Sequence, residues 1–238
     1  YDHWHWEIQP SELEQFARWD MFTANFETAH YARAALKEIR NYNPKTKILA
    51  WISLGFYKIG GWGGYLETKF LADSNEDWWI HWRGTGPPSS RRLHNTPWYP
   101  DLVHPNPKSG FADHIVKLLQ EEVLSTEFYD GVFYDATADA GWIFPTGNEQ
   151  LDISPSEYRQ GIAGILRSTR EILGPRGIII GNAGVEWPEN CPYWDYANGH
   201  YQENALGDVF GSDWRTMWEI YQRNMRKKSP PSRVHWIG

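Results

Sequence analysis

Asp130-Gly131-Val132-Phe133-Tyr134-Asp135 sets a turn, an apolar run and a carboxylate side by side in six residues. Asp-Gly is a turn pair, because glycine accepts backbone angles that other residues resist. Val-Phe-Tyr is β-branched and aromatic, which suits a strand. The run does not alternate with polar residues, so it reads as a strand covered on both faces, the mark of a parallel sheet. The chain enters at Asp130 and leaves at Asp135. Asp135 therefore stands at the C-terminal end of a buried parallel strand, and Asp130 belongs to the turn at the opposite end.

Similar runs lie on both sides. Tyr1–Trp6, Asp20–Phe26 and Lys47–Leu54 read as three earlier strands, and Gly177–Asn182, Tyr196–Tyr201 and Arg233–Ile237 as three later ones. Amphipathic segments separate them. Pro10-Ser11-Glu12 opens a helix with Ser11 as N-cap and Glu14 three residues on. Tyr31–Asn41 is a helix with Ala35, Leu36 and Ile39 inward, ended by Asn43-Pro44. Phe111–Leu124 is a helix through Ile115, Leu118 and Leu119. Ser154-Pro155-Ser156-Glu157 starts a helix that runs to Leu173 and stops at Gly174-Pro175. Trp214–Lys228 is the last helix, with basic residues at its C-terminus.

Strand and helix in alternation imply parallel pairing with right-handed crossovers. Seven such strands, with no glycine-rich phosphate turn after the first, favour a (β/α)8 barrel over a doubly wound sheet. The eighth strand and its helix are missing from the pattern. One domain over residues 1–238 is expected, interrupted at about 55–106 by a long excursion rich in Trp, Gly and Pro. A loop that long in a compact domain is usually functional.

Composition narrows the partners. A net charge of −7 disfavours a nucleic-acid backbone, which wants a basic face. No apolar run reaches the roughly 18 residues of a membrane span. Cys191 is the single cysteine, which excludes an internal disulfide and a cysteine-based zinc cluster. The 15 tryptophans are more than a core of this size requires. Indole faces stack on the apolar faces of sugar rings, so carbohydrate contact accounts for the surplus. Trp4, Trp6, Trp62 and Trp98 are candidate platforms. A carbohydrate partner also favours a secreted or cell-surface setting.

In a parallel barrel the site lies at the C-terminal strand ends. That rule selects Trp4, His5 and Trp6 from the first strand, Asn25 and Glu27 from the second, and Ser53 from the third. It selects Asp135 from the fourth, with Thr137 and Asp139 just beyond. Asn182 comes from the fifth strand, and Tyr201 and Glu203 from the sixth. Cleaving a glycosidic bond takes two carboxyl groups, one protonated and one ionised. They stand roughly 5–5.5 Å apart in retaining enzymes and roughly 6.5–9.5 Å apart in inverting ones. Asp135 and Glu203 sit at strand ends near enough for either, with Glu186 as the rival acid. Asn182, Tyr201, Asp139 and His5 are candidate sugar contacts.

His3 and His5 also suit the metal pair of an amidohydrolase barrel. That chemistry wants histidines after the fifth and sixth strands. His200 meets the second demand, but the fifth strand ends in Asn182. No metal and no cofactor are expected, and a non-catalytic sugar-binding barrel is the other alternative.

Asp130–Asp135, Ile178-Ile179-Ile180-Gly181-Asn182 and the Gly-x-x-x-Glu segment Gly199–Glu203 together resemble a group of glycoside-hydrolase-like barrels. These include the endo-α-1,4-polygalactosaminidase group and several families of hypothetical glycosyl hydrolases. The resemblance implies a barrel hydrolase in which the acid ending the fourth strand and a glutamate near the sixth form the catalytic pair. Carried over, Asp135 is the nucleophile or base and Glu203 the general acid, or the reverse. The chain departs from the group in its Trp-rich insertion and its early end.

Overall fold

The computed structural model describes residues 2–3, 10–25, 33–55, 57–58, 75–95, 99–139, 144, 150–183, 187–188, 190–202, 214–226 and 236–237. Among them the strands in chain order are β1 (Asp2–His3), β2 (Met21–Asn25), β3 (Lys47–Ser53), β4 (Tyr57–Lys58), β5 (His94–Asn95), β6 (Tyr99–Val103), β7 (Gly131–Asp135), β8 (Ile178–Asn182), β9 (Gly199–Gln202) and β10 (Trp236–Ile237). The α-helices are α1 (Leu13–Ala17), α2 (Arg33–Tyr42), α3 (Gly110–Leu118), α4 (Pro155–Leu173) and α5 (Trp214–Arg226).

The main sheet runs β1-β2-β3-β7-β8-β9-β10, with every neighbouring pair parallel. Five strands of four or more residues carry it, flanked by the two-residue β1 and β10. The order never reverses, so there is no switch point of the doubly wound kind. The expected eight-stranded closure is not found among the described residues, where β1 and β10 each pair on one side only.

Alternation sorts the side chains. Ile48, Ala50, Ile52, Val132, Tyr134 and Ile179 point into the large core under the helices. Leu49, Phe133, Ile180 and Tyr201 form a separate small cluster on the opposite face, backed by Met21, Trp51 and Ile178. The Phe133 and Tyr201 rings meet edge to face at 5.6 Å, reaching over the intervening β8. Asp135 shares its parity with Phe133, and Asn182 with Ile180. Both therefore continue this second face at the C-terminal strand ends.

The predicted turn at Asp130 is an anchor at the other end. Its carboxylate accepts from Arg40 Nη2 at 2.7 Å, Lys47 Nζ at 3.0 Å and the Ile48 amide at 3.0 Å. Burial alone raises the carboxyl's pKa, but those donors outweigh it and hold it below the usual carboxylate value.

Several elements differ from expectation. The helix expected from Ser11 begins as a 3-10 turn at Pro10–Glu12, which shifts the N-cap of α1 to Glu12, and Glu12 makes no side-chain cap; the Glu14 carboxylate pairs with Arg18. The helix expected over Phe111–Leu124 is α-helical only to Leu118. It widens into a π-turn over Leu119–Val123 and tightens over Leu124–Thr126. There the Ser125 and Thr126 hydroxyls bond back to the Glu121 and Val123 carbonyls, competing with the helix ladder. The sixth predicted strand starts late, at Gly199, because Pro192–Asp195 forms a 3-10 turn. By contrast, Ser154 and Glu157 form the full capping box expected for α4, and Gly174 ends that helix at φ 64°.

The excursion over 55–106 is not simply a loop. Its described part holds a small antiparallel sheet, β4-β6-β5, and buries Trp78, Trp79, Ile80, Leu93 and Val103. It is pinned to the segment entering α4. The His81 amide donates to Asp152 Oδ1, and the His81 ring lies between Asp152 Oδ2 at 3.0 Å and Glu76 Oε1 at 2.9 Å. Arg92 holds Glu76 from the other side.

Candidate active site

β7 is buried at every position, and pairing with β3 sets Ser53 opposite Asp135. Asp135 is 7% exposed. Its Oδ1 accepts two N–H donors: Asn182 Nδ2 at 2.8 Å and the Ala136 backbone at 2.9 Å. The Leu54 amide holds its carbonyl at 2.9 Å. Donors of this kind favour the ionised carboxylate.

Two close approaches frame this carboxylate. On the β3 side, a Cβ on Gly55 would fall 2.4 Å from the Ala136 Cβ and 2.7 Å from its carbonyl oxygen. Only glycine allows that contact, and Ala136 itself adopts φ 55°, a left-handed conformation uncommon for alanine. On the β8 side, a Cβ on Gly181 would lie 2.4 Å from Thr137 Oγ1 and 2.4 Å from the Trp187 ring. Thr137 donates through its amide and its hydroxyl to the Asn182 carbonyl, at 2.8 and 3.0 Å. Trp187 Nε1 donates to the Thr137 carbonyl at 2.8 Å. The segment after Asp135 is thus tied to the strand that supplies Asn182.

The other sequence candidates divide clearly. Asp139 forms a two-pronged ion pair with Arg159 of α4, through Nε–Oδ1 and through Nη2–Oδ2 at 2.8 Å. That pairing makes Asp139 a tether for the loop. Tyr201 is 9% exposed and packs on Phe133, so its ring is part of the wall beneath the strand ends. Glu203, Glu186, Glu27, Trp4, His5, Trp6, Trp62 and Trp98 lie outside the described residues, as does the side chain of His3. His200, offered as a metal ligand, occupies the opposite face of β9 from Tyr201. Its ring packs between Trp187 and Trp194, at 5.6 and 5.3 Å between centroids. Among the described residues no group of three or more His, Cys, Asp or Glu is arranged to hold a metal ion.

Tryptophan use is partly structural. Trp78, Trp79, Trp187 and Trp194 are buried in the core under the helices. Thr137 appeared in sequence only as a neighbour of the site, and His104, Gly55 and Gly181 not as parts of it. Their signals were a glycine at the end of each of the two strands that flank β7 and a histidine at the end of the excursion.

The sequence matches, over residues 40–235, the family described as hypothetical glycosyl hydrolase family 15. No curated protein matches it significantly. Among solved structures, a Paenibacillus sp. cycloisomaltooligosaccharide glucanotransferase in complex with cycloisomaltoheptaose superposes with a TM-score of 0.58 at 9% identity, covering 97% of this chain and 37% of that one. A family 36 α-galactosidase of Geobacillus stearothermophilus in complex with stachyose gives 0.58 at 9% identity, covering 96% and 33%. An α-amylase of Malbranchea cinnamomea gives 0.52 at 11% identity, covering 91% and 49%. At such identities the likeness is one of fold, and the chain spans about a third of the first two structures' lengths.

Proposed function

The chain belongs to hypothetical glycosyl hydrolase family 15, and from that premise we propose that it hydrolyses O-glycosidic bonds with Asp135 as the ionised member of a carboxyl pair. The observation that carries the reading is the double N–H donation from Asn182 and Ala136 to Asp135 Oδ1 at a C-terminal strand end. Two donors on one oxygen suit a carboxylate that must stay charged until it attacks carbon or takes a proton from water. A carboxyl group serving as the acid would instead need its proton retained.

Glu203, two residues beyond Tyr201 in sequence, is the proposed general acid. It protonates the leaving-group oxygen as the bond to the anomeric carbon breaks, and the positive charge developing on the ring is stabilised by Asp135. Asn182 acts on Asp135, holding one oxygen so that the carboxylate presents one orientation. Trp4, Trp6, Trp62 and Trp98 are proposed sugar platforms, with His5 as a further contact. The singly wound sheet is read as seven strands of a (β/α)8 barrel. The substrate is a polysaccharide or oligosaccharide. The ligands in the neighbouring structures direct the first tests to α-linked glucans and galactosides.

The experiment is a panel of α- and β-linked glycans scored for new reducing ends, with wild type and Asp135→Asn in parallel. Release by wild type that drops by at least about a thousandfold in Asp135→Asn supports the reading. Equal release by the two proteins removes Asp135 from the chemistry. Glycan binding without turnover in either protein would make the chain a binding barrel.

A further inference from the structure

His104 follows β6 and is 4% exposed. Its backbone is fixed on both sides, donating to the Leu93 carbonyl at 3.0 Å and accepting from the Ile80 amide at 2.9 Å. Its ring Nδ1 lies 2.5 Å from the Gly55 carbonyl oxygen. A carbonyl only accepts, so Nδ1 carries the proton. Burial pushes the imidazole's pKa down to about 4, outweighing the opposite pull of the Gly55 hydrogen bond, and keeps the ring a neutral donor.

The residue whose carbonyl His104 holds is the one whose α-carbon abuts Ala136. Ala136 sits at φ 55°, a conformation an alanine holds only where its surroundings impose it. The Ala136 N–H that reaches Asp135 Oδ1 shares one peptide plane with the Asp135 carbonyl, so whatever fixes that plane aims the N–H. Leu54, immediately before Gly55, meanwhile holds the Asp135 carbonyl. One contiguous set of contacts thus runs from the excursion to the carboxylate.

We propose that His104 is a positioning residue for Asp135, acting through the Gly55 carbonyl and the contacts of Leu54 and Gly55 with the Asp135–Ala136 peptide. The inference rests on the reading of Asp135 as the ionised catalytic carboxylate. It gives the excursion a role at the reacting centre, since its last segment fixes the peptide whose N–H donates to Asp135 Oδ1. When the Nδ1–H is lost, Gly55 is no longer held, the contacts that fix the Asp135–Ala136 peptide loosen, and the Ala136 N–H drifts from Oδ1. The carboxylate loses a donor and becomes easier to protonate.

The test reads Asp135 itself, by carboxyl-carbon NMR titration of the intact chain, beside kcat, KM and thermal stability. His104→Leu removes the donor. His104→Asn places an amide N–H near the Nδ1 position and serves as the rescue. Ala136→Gly accepts φ 55° without strain, so it keeps the fold while loosening the contact with Gly55. The expected result is an Asp135 titration raised by about half a pH unit or more in His104→Leu and in Ala136→Gly. His104→Asn should return it toward wild type. With a substrate in hand, His104→Leu and Ala136→Gly should lose roughly tenfold or more in kcat at unchanged KM. An Asp135 titration unmoved in Ala136→Gly and in any folded His104→Leu overturns the proposal, whatever happens to melting temperature. Full activity in Asp135→Asn would instead defeat the catalytic reading and leave the positioning result readable by NMR.

Discussion

Asn182 Nδ2 lies 2.8 Å from Asp135 Oδ1, a bond between the ends of two adjacent parallel strands. The Asn182 carbonyl is in turn gripped by Thr137, two residues beyond Asp135. Each strand end therefore holds the other, and the carboxylate's orientation depends on both.

Replacing Asn182 by aspartate tests that bond directly. The change swaps an N–H donor for a second carboxyl group within hydrogen-bond distance of the first. Two such groups cannot both ionise easily, so one must take a proton. Glycan hydrolysis by Asn182→Asp should fall about a hundredfold, and the acidic limb of its pH profile should move to higher pH. Asn182→Ala removes the donor without adding charge, so it should lose activity with a smaller movement of that limb. Parallel pH–rate profiles of the three proteins decide the matter. An unmoved limb in Asn182→Asp would separate the acidic limb from Asp135.

Gly181→Ala is a packing test on the same wall. The added methyl meets Thr137 Oγ1 and the Trp187 ring at 2.4 Å, and both groups are already held by hydrogen bonds. Neither gives way cheaply, so the variant should lose about 1–3 kcal/mol of stability. Denaturant unfolding monitored by tryptophan fluorescence measures this. Wild-type stability would mean that the Thr137–Trp187 contact yields easily.

The strands were legible because their residues carry the signal themselves. Gly131–Asp135 has the same bounds in sequence and structure, since an all-apolar run between a turn and an acid leaves one reading. The capping box at Ser154 and Glu157 was equally local. What was hidden depends on contacts between distant segments. The antiparallel sheet in the excursion pairs β6 with two-residue strands too short to announce themselves. The ion pair of Asp139 was hidden because nothing near it in sequence names Arg159, 20 residues away on α4. Buried tryptophans and binding tryptophans share one composition, so Trp187 and Trp194 inflated the surplus. The roles of Gly55 and Gly181 arise where one backbone meets another, which no run of residues encodes.

Asp130 separates folding from chemistry. It is an aspartate in the same six-residue stretch as Asp135, yet it serves Arg40, Lys47 and the Ile48 amide at the far strand end. Asp130→Ala leaves those donors short of an acceptor and should cost about 2 kcal/mol of stability. Its kcat on any substrate should stay near wild type below the melting point. The carboxyl's folded pKa lies below its unfolded value, so its contribution is present above the unfolded pKa and fades as pH falls through the folded one. The stability gap between wild type and Asp130→Ala should therefore narrow in strong acid. A large loss of kcat at full stability would tie Asp130 to the site after all.

His104 gives the pH dependence its clearest sign. Burial holds its folded pKa at about 4 against an ordinary value of 6.5. Between those limits the unfolded chain binds a proton that the folded chain does not, so stability falls as pH falls from about 6.5 to about 4. The full swing for one such group is about 3 kcal/mol. His104→Asn cannot take up that proton in either state. Its unfolding free energy should consequently change less over this range, and wild type should lose ground to it as acid is added. Urea unfolding of both proteins at several pH values from about 7 to about 4 measures the difference. Parallel curves would mean that His104 is charged in the fold as readily as in the unfolded chain. In that case the neutral Nδ1–H donation to Gly55 would not be what fixes the turn beside Asp135.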